Sequence, residues 1–482
     1  MQTGSEIVIG ITQPVGVNSS EVVNCITDCF KQFRFKVNTI KVSRDIIAAF
    51  DTEEDHFDDS EYRRISHYMD MGNKLRKETE DDAFLMRGVV AHIYQTYHRE
   101  NGPQVKMAYV VDSIKHPQEV QFLRNTYKDG FHLVGISNSQ EARKNYLMSR
   151  KGLTEKEADS LLLRDYDEEE KSGQHTRDVY QQADYFINAG AEYKMIESSI
   201  FRLLDLIFGN AFITPTFGEY AMFRAYVASL RSADLSRQIG AVVTNKHDEI
   251  IAEGVNDCPK FGGGLYWPAG EEGGFRDIEG GRDYTLGYDS NKIEQEKIID
   301  NIIKKLDIVK TEEAVKKIKK AGIGELTEYG RVVHAEMEAL LMCVRNNNST
   351  RGCSMYVTTF PCHNCAKHII AAGIERVYYI EPYPKSKALD FYKIEIGTKN
   401  EEKRLLFSAF SGVGPHRFMD LFSMSSILWY KRTRKGQDGR KVNWSREQAK
   451  IRNPMPLLTY IEIERKAYKE YFDRLKRVKG EL

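Results

Sequence analysis

Excess charge, cysteine and long apolar runs are all scarce in this sequence. Its 482 residues include only seven cysteines, and 70 basic residues are balanced by 70 acidic ones. Seven scattered cysteines in so long a chain do not make a disulfide scaffold, and they indicate a reducing cytoplasm with thiolates free for metal. A protein that coats nucleic acid should be more basic overall, so any basic surface here must be local.

Segments for membrane insertion or export are also missing. No apolar run approaches the ~20 residues that a membrane-spanning helix needs, so we expect no membrane partner. The N-terminal residues MQTGSEIVIG lack the charged region and apolar stretch of a signal peptide. The length predicts two or three domains at roughly 100–200 residues each.

Strand and helix patterns alternate over residues 1–210. Short apolar runs bounded by polar residues predict buried parallel strands. They are Glu6–Ile11, Met107–Asp112, Phe131–Ile136 and Asp184–Asn188. The 3.6-residue pattern of Ser19–Phe33 predicts a helix after the first of them. This alternation predicts an α/β domain with a doubly wound parallel sheet.

A second α/β domain is expected over residues 215–415. Ile239–Thr244 and Glu249–Glu253 predict a hairpin, and two helices and two strands follow residue 332. An insertion at 258–330 is glycine-rich in its first half and rich in lysine and glutamate in its second. Residues 416–482 form a third region, a basic helical extension. Its segment Lys431–Arg452 carries nine basic residues against two acidic ones.

The strongest chemical signal is His334-Ala335-Glu336 followed by Pro361-Cys362-His363-Asn364-Cys365. This is the H-x-E and P-C-x-x-C pattern of zinc-dependent nucleobase deaminases. Two cysteines at a helix start can hold one Zn²⁺ together with His334, which leaves the fourth position open for water. Glu336 is then not a ligand but the catalytic residue, a general acid and base that moves protons between water, the ring and the leaving ammonia.

A structural zinc knuckle is the alternative for the two cysteines. It requires a fourth protein ligand, and His363 and His368 are the nearby candidates. A structural site has no need of Glu336, so the complete pattern favours a deaminase. The other cysteines lack ligand spacing, and we interpret them as buried apolar residues.

Further segments resemble the deoxycytidylate deaminase family over residues 215–390. They are RSADLSRQIGA from Arg231, GVN ending at Asn256, and YPKSKA from Tyr383. The resemblance implies a cytidine-deaminase-like α/β/α fold that commonly assembles into homo-oligomers. It also implies substrate-binding residues: Asn256 contacts the deoxyribose, and the phosphate candidates are Arg231, Ser236, Arg237, Lys385 and Lys387.

The N-terminal domain resembles P-loop nucleotide kinases. Strand, loop and helix follow one another in the right order, and Gly16 fits the second glycine of G-x-x-x-x-G-K-[ST]. Val17 stands at the lysine position and Asn18 at the hydroxyl position, so we expect the kinase-like fold without strong phosphotransfer. The candidate nucleotide-binding residues of this degenerate loop are Gly16, Asn18, Ser19 and the strand-end acid Asp112.

A kinase-like domain joined to this deaminase resembles the bacterial anti-phage cytosine nucleotide deaminases of the AvcD group. That resemblance implies depletion of deoxycytidine nucleotides during infection and an inhibitory small RNA. Lys431–Arg452 is a candidate RNA-facing surface, with a solvated charged face as the alternative.

The leading hypothesis is zinc-dependent hydrolytic deamination of free dCMP or dCTP to deoxyuridine nucleotides. Two other hypotheses stay open. One is a polynucleotide deaminase acting on cytosine or adenine in RNA or single-stranded DNA, and the other is a non-catalytic RNA-binding zinc protein.

Overall fold

The computed structural model divides the chain into two compact units. Unit 1 comprises Met1–Glu219 and Ala409–Leu482, and unit 2 comprises Tyr220–Ser408. The structure describes residues 6–50, 60–102, 104–166, 172–271, 274–381, 386–398, 404–425, 432–455 and 457–478. No helix within these ranges has the length and apolar character required to cross a membrane.

Strands and helices alternate through most of the chain. The strands are β1 (Glu6–Thr12), β2 (Lys36–Lys41), β3 (Met107–Asp112), β4 (Phe131–Ser137), β5 (Tyr185–Asn188), β6 (Gly240–Thr244), β7 (Ile250–Val255), β8 (Ala269–Glu271), β9 (Gly274–Arg276), β10 (Ser354–Thr359), β11 (Arg376–Glu381), β12 (Ile396–Gly397), β13 (Leu405–Ala409) and β14 (Gly412–Val413). The α-helices are α1 (Ser19–Lys31), α2 (Glu61–Glu78), α3 (Phe84–Ile93), α4 (Arg99–Asn101), α5 (Pro117–Tyr127), α6 (Gln140–Lys151), α7 (Glu155–Tyr166), α8 (Thr176–Tyr180), α9 (Tyr193–Ile207), α10 (Phe217–Ser229), α11 (Asp283–Leu286), α12 (Ser290–Lys305), α13 (Glu312–Lys320), α14 (Ala335–Arg345), α15 (His363–Ala371), α16 (Ala388–Phe391), α17 (Phe418–Phe422) and α18 (Leu457–Val478).

Unit 1 is built on a six-stranded sheet in the order β14-β5-β4-β1-β3-β2. Strands β1 to β5 are parallel, and β14 adds an antiparallel edge. Every residue of β1 is buried, as a central strand covered on both faces requires. Helices α1 and α9 pack on one face through residues such as Phe30 and Ile200. The predicted doubly wound parallel sheet is therefore confirmed.

The C-terminal helix α18 is part of unit 1, whereas the sequence placed it in a separate extension. Its buried residues recur every three or four positions, at Tyr460, Glu464, Ala467 and Tyr471. The Tyr471 ring stacks on Phe84 of α3 with centroids 5.1 Å apart. An amphipathic helix of this length buries its stripe against a partner, and α3 provides that partner.

A buried polar network also attaches α18 to the sheet of unit 1. His98 lies between Glu464, 2.5 Å from its Nδ1, and Glu6, 2.9 Å from its Nε2. The hydroxyl of Tyr127 donates to Glu464 at 2.8 Å, and that of Tyr109 donates to Glu6 at 3.0 Å. Burial alone would lower the pKa of His98, but its hydrogen bonds with Glu464 and Glu6 outweigh burial and raise it to about 9. The network therefore holds a protonated histidine between two carboxylates.

Unit 2 contains a mixed sheet in the order β12-β13-β11-β10-β6-β7. Strands β6 and β7 form the predicted antiparallel hairpin, and β10 runs parallel to β11. Helices α14 and α15 cover the sheet and share an apolar core with it. The α/β class predicted for this part of the chain is confirmed.

The insertion 258–330 folds into the β8–β9 pair and helices α11 to α13. A buried arginine, Arg282, anchors it through ion pairs of 3.2 Å to Asp257 and 3.1 Å to Asp277. Asp257 lies two residues after the end of β7. Its ion pair with Arg282 therefore attaches the insertion to the sheet of unit 2.

Candidate active site and metal centre

Two helix N-termini position the predicted metal ligands. His334 is the N-cap residue of α14 and Cys362 is the N-cap residue of α15, both with extended backbone. The Sγ of Cys362 accepts the backbone N–H of Cys365 at 3.4 Å, which closes the first turn of α15. An N-cap residue has non-helical backbone and lies at the positive end of the helix dipole, which favours thiolates there.

These elements bring His334, Cys362 and Cys365 together. The Nδ1 of His334 lies 3.3 Å from Sγ of Cys365 and 3.5 Å from Sγ of Cys362. Tetrahedral zinc with bonds of ~2.0 Å to nitrogen and ~2.3 Å to sulfur would place these atoms about 3.5 Å apart. The donor set and its spacing therefore fit Zn²⁺, the predicted cofactor.

The cluster contains three ligands rather than four. Within the described residues, the only group of three or more His, Cys, Asp or Glu side chains close enough to hold a metal is this one. Neither His363 nor His368 belongs to it, so the alternative of a four-ligand zinc knuckle gains no support. Three protein ligands are typical of catalytic zinc, which keeps one position for water or substrate.

Glu336 lies in the first turn of α14, two residues after His334, and is only 3% exposed. Burial raises the pKa of its carboxyl above the ordinary value, and the charge of His334 opposes this shift. At the neighbouring thiols, a hydrogen bond from Cys365 lowers the pKa of Cys362 to about 4. The site thus combines a thiolate ligand with a carboxyl suited to accept and return a proton.

Asn256, the predicted sugar contact, is a buried residue that joins two backbone segments. Its Oδ1 accepts the N–H of Ile239 at 2.7 Å, and its Nδ2 donates to the carbonyl of Arg237 at 2.7 Å. One amide hydrogen and one oxygen lone pair remain for other partners. The structure therefore gives Asn256 an architectural role in the loop, and its contact with a sugar stays a prediction.

The predicted phosphate contacts are in different environments. Arg231 stacks on Trp267, with its guanidinium carbon 3.7 Å from the ring centroid, and donates to the Tyr266 carbonyl at 2.7 Å. Arg237 forms an ion pair with Glu381. Ser236 and Lys387 are exposed, and Lys385 lies outside the described residues.

Sequence reasoning missed the acidic residues that orient this loop. Asp234 Oδ1 accepts the backbone N–H groups of Ser236 at 2.8 Å and of Arg237 at 2.9 Å. Glu381, at the carboxyl end of β11, holds the side chain of Arg237. The Asp234 turn has a local signal, since aspartate commonly caps the residues two and three positions later. The Glu381 pair is 144 positions apart in sequence and has none.

The loop between β1 and α1, predicted to be a degenerate P-loop, contacts a carboxylate of its own unit. Asp165 accepts hydrogen bonds from Val15 N–H at 2.7 Å, Lys115 Nζ at 2.6 Å and Thr176 Oγ1 at 3.1 Å. A backbone N–H, a lysine and a hydroxyl are the donors that a P-loop offers to phosphate. Asp165 thus occupies donors of the same kinds, one of them the ammonium of Lys115.

The four candidate nucleotide-binding residues lie in the loop before α1, at the start of α1 and at the end of β3. Gly16 has a φ of +85°, a left-handed conformation that favours glycine. Asn18 and Ser19 mark the start of α1. Asp112 accepts Gln13 Nε2 at 3.0 Å, and burial raises the pKa of its carboxyl. Nucleotide binding by these four residues stays a prediction.

Comparisons with known proteins agree with the site in unit 2. The family described as "Cytidine and deoxycytidylate deaminase zinc-binding region" matches residues 215–381. Human deoxycytidylate deaminase is 28% identical over 162 residues, which are 34% of this chain and 63% of that enzyme. Deoxycytidylate deaminase of Enterobacteria phage T4 is 30% identical over 169 residues, which are 34% of this chain and 77% of the phage enzyme.

A solved structure is similar over a somewhat larger share of the chain. It is the dCMP deaminase of cyanophage S-TIM5 in complex with dCMP and dUMP, 20% identical, with a TM-score of 0.24 over 41% of this chain and 99% of that one. The match to the human enzyme spans less than two thirds of that enzyme's length. The match to the T4 enzyme covers more than three quarters of its length. The chain therefore belongs to the deoxycytidylate deaminase family.

Proposed function

We propose that this protein hydrolytically deaminates free deoxycytidine nucleotides, dCMP or dCTP, to deoxyuridine nucleotides and ammonia. The observation that carries the proposal is the three-ligand cluster of His334, Cys362 and Cys365 with the buried carboxyl of Glu336 beside it. Membership of the deoxycytidylate deaminase family supports the same reaction.

Bound zinc supplies Lewis acidity, which makes a water molecule acidic enough to act as a nucleophile near neutral pH. Glu336 accepts a proton from the attacking water and delivers it to N3 of the cytosine ring. A C–O bond forms at C4 as the N3=C4 double bond opens. Glu336 then transfers the second proton of the water to the exocyclic amine, so that the C4–N bond breaks and ammonia leaves.

The surrounding loop supplies candidate substrate contacts. The remaining amide hydrogen of Asn256 is available to a sugar hydroxyl, and Arg237 and Lys387 offer positive charge to the phosphate. Arg237 is paired with Glu381, so a bound phosphate competes with a carboxylate for the same guanidinium. Arg231 and Ser236 complete the proposed set.

Product analysis tests the proposal directly. Purified protein is incubated with dCMP, dCTP, CMP and CTP, and with cytosine-containing RNA and single-stranded DNA. Uracil products and ammonia are quantified, with Glu336→Gln as the inactive control. We expect product from at least one deoxycytidine nucleotide. Product from polynucleotides alone would establish the editing alternative, and no product from any substrate would favour a non-catalytic zinc protein.

The resemblance to the AvcD group extends the proposal to physiology. Depletion of deoxycytidine nucleotides in anti-phage defence, a homo-oligomeric assembly and an inhibitory small RNA are its expected features. All seven cysteines are free thiols, which supports the proposed cytoplasmic location. Nucleotide pools measured in infected cells with the wild type or the Glu336→Gln variant test the physiological role.

A further inference from the structure

Two arginines from the basic segment Lys431–Arg452 are buried side by side in unit 1. Arg432 is 8% exposed and Arg452 is 7% exposed. Both donate to the carbonyl of Ser423, Arg452 Nη2 at 2.6 Å and Arg432 Nη2 at 3.3 Å. A shared acceptor brings two like charges within a few ångströms of each other, away from bulk water.

Neutral carbonyl groups provide most of their partners. Arg432 donates to the carbonyls of Asn210, at 3.1 Å, and Leu421. Arg432 Nε, and both Nε and Nη1 of Arg452, are buried without any hydrogen-bond partner in the described part of the chain. Buried charges are normally paired, because an uncompensated one is strongly destabilising. Within the described residues, the pair therefore lacks a directly bonded anion.

The surrounding charged groups do not neutralise the positive charge of Arg432 and Arg452. Arg417, also buried, is bonded to Asp420 at 3.1 Å. Burial lowers the pKa of Arg452, Asp420 opposes that shift and Arg417 adds to it. Arg417 and Arg452 thus both face Asp420, and Asp129 lies 3.8 Å from Arg417. Asp184 is 3.9 Å from Arg417 and already binds Arg124 at 2.9 Å.

Another arginine of the same segment shows the usual arrangement. Arg446 binds the carboxylate of Asp205 with two bonds, of 2.8 and 2.9 Å. The absence of such a partner is therefore not a general property of the basic segment.

We propose that Arg432 and Arg452 form a binding site for a phosphate group, distinct from the metal centre. Guanidinium N–H groups match phosphate oxygens, and both Nε and Nη1 of Arg452 carry N–H groups without a partner among the described residues. Side chains that are more than nine-tenths buried suit a small anion that enters the unit, inorganic phosphate or the phosphate of a free nucleotide. A polynucleotide backbone lying on the surface would not reach them.

Thermal unfolding of the full chain tests the site. Inorganic phosphate is titrated at constant ionic strength against chloride, and we expect a saturable rise in Tm with the wild type. Arg452→Gln should weaken the apparent affinity at least tenfold, whereas Arg446→Gln should leave it unchanged. Equal shifts with chloride, or equal shifts in all three proteins, would overturn the proposal.

A second variant covers the case in which Arg452→Gln fails to fold. Arg452→Lys keeps the positive charge but removes the planar guanidinium with its unused Nε and Nη1 donors. The protein should still fold, and its phosphate affinity, measured by titration calorimetry, should fall. Unchanged affinity would contradict the proposal. Calorimetry with dCMP and with inorganic phosphate then separates the two sources. If Arg452→Lys loses more affinity for dCMP than for inorganic phosphate, relative to the wild type, the site binds a nucleotide. If it loses the same affinity for both, the site binds free phosphate.

Discussion

Gly254 and Ala335 approach so closely that a β-carbon at Gly254 would lie 2.0 Å from the carbonyl oxygen of Ala335. The same atom would lie 2.4 Å from the backbone nitrogen of Ala339. Strand β7 therefore supports helix α14 through direct backbone contact. Because α14 begins at the ligand His334 and carries Glu336, this glycine sets the position of the metal centre relative to the sheet.

Replacing Gly254 with alanine should displace α14. Overpacking of this kind typically costs ~1–3 kcal/mol, and we expect lower zinc affinity and turnover as well as a lower free energy of unfolding. Denaturant unfolding and zinc titration measure both effects. Gly270→Ala is the control, since its β-carbon would have no neighbour closer than 3.4 Å. Normal zinc affinity in Gly254→Ala would contradict this account.

Glu336→Gln should abolish turnover while zinc remains bound. Loss of general acid–base catalysis typically lowers rates by about 10²–10⁴-fold, and an amide cannot carry the proton. Ammonia release and zinc content are measured on the same preparation. The matched control is Glu338→Gln, whose carboxylate is on the same helix but pairs with Arg345. A fully active Glu336→Gln variant would rule out the assigned role.

Cys365→Ser should remove zinc and destabilise unit 2. Serine is a poor zinc ligand, and the remaining two ligands cannot complete a catalytic site. Metal analysis of the purified protein should give less than one tenth of the wild-type zinc content. Cys343→Ala is the control, because this buried cysteine belongs to the apolar core and should retain the metal. Equal zinc loss in both variants would point to general misfolding.

Stability should fall as the pH rises from neutral to alkaline. The pKa of His98 is about 9 in the folded protein and about 6.5 in an unfolded chain. Its contribution is therefore complete below pH ~6.5 and is lost as the pH passes through about 9, amounting to about 3 kcal/mol at most. Urea unfolding of the wild type and His98→Gln should show this slope only in the wild type.

Asp165→Asn should destabilise the loop between β1 and α1. It leaves the ammonium of Lys115, now bonded at 2.6 Å to both Asp165 and the Gln13 carbonyl, without its counter-charge. Removing one partner of a buried ion pair costs about 3–5 kcal/mol, and partial exposure of Lys115 should reduce this figure. Asp178→Asn, which removes an exposed carboxylate, is the control. Unfolding measured by circular dichroism should separate the two variants.

The sequence predicted those features whose signal is local. The zinc ligands follow from two short motifs at helix starts, and β1, β3 and β4 follow from uninterrupted apolar runs. Strand β2 was missed because Ile40 is its only buried residue. A polar edge strand of this kind lacks the apolar run that indicates a buried strand.

Features that depend on distant pairing could not be predicted. Asp165 reaches Val15 across 150 positions, and no pattern near either residue indicates the contact. Helix α18 was recognised as helical, but its place in unit 1 depends on Glu464 meeting His98, 366 positions away. Contacts between side chains that are distant in sequence depend on the folded topology, and no local sequence pattern predicts them.

The hydrogen bond between Tyr460 and Glu6 can form only after nearly the whole chain has been synthesised. Unit 1 is interrupted in the chain by the whole of unit 2, so strands β1 to β5 leave the ribosome long before β14 and α18 do. Until α18 is synthesised, the carboxylate of Glu6 lacks its hydrogen bond from Tyr460. The surface of α3 that packs against α18 is also exposed. Unit 2 is therefore synthesised while unit 1 is incomplete, and a nascent chain stalled before residue 457 would expose that unfinished surface of unit 1 to chaperones and proteases.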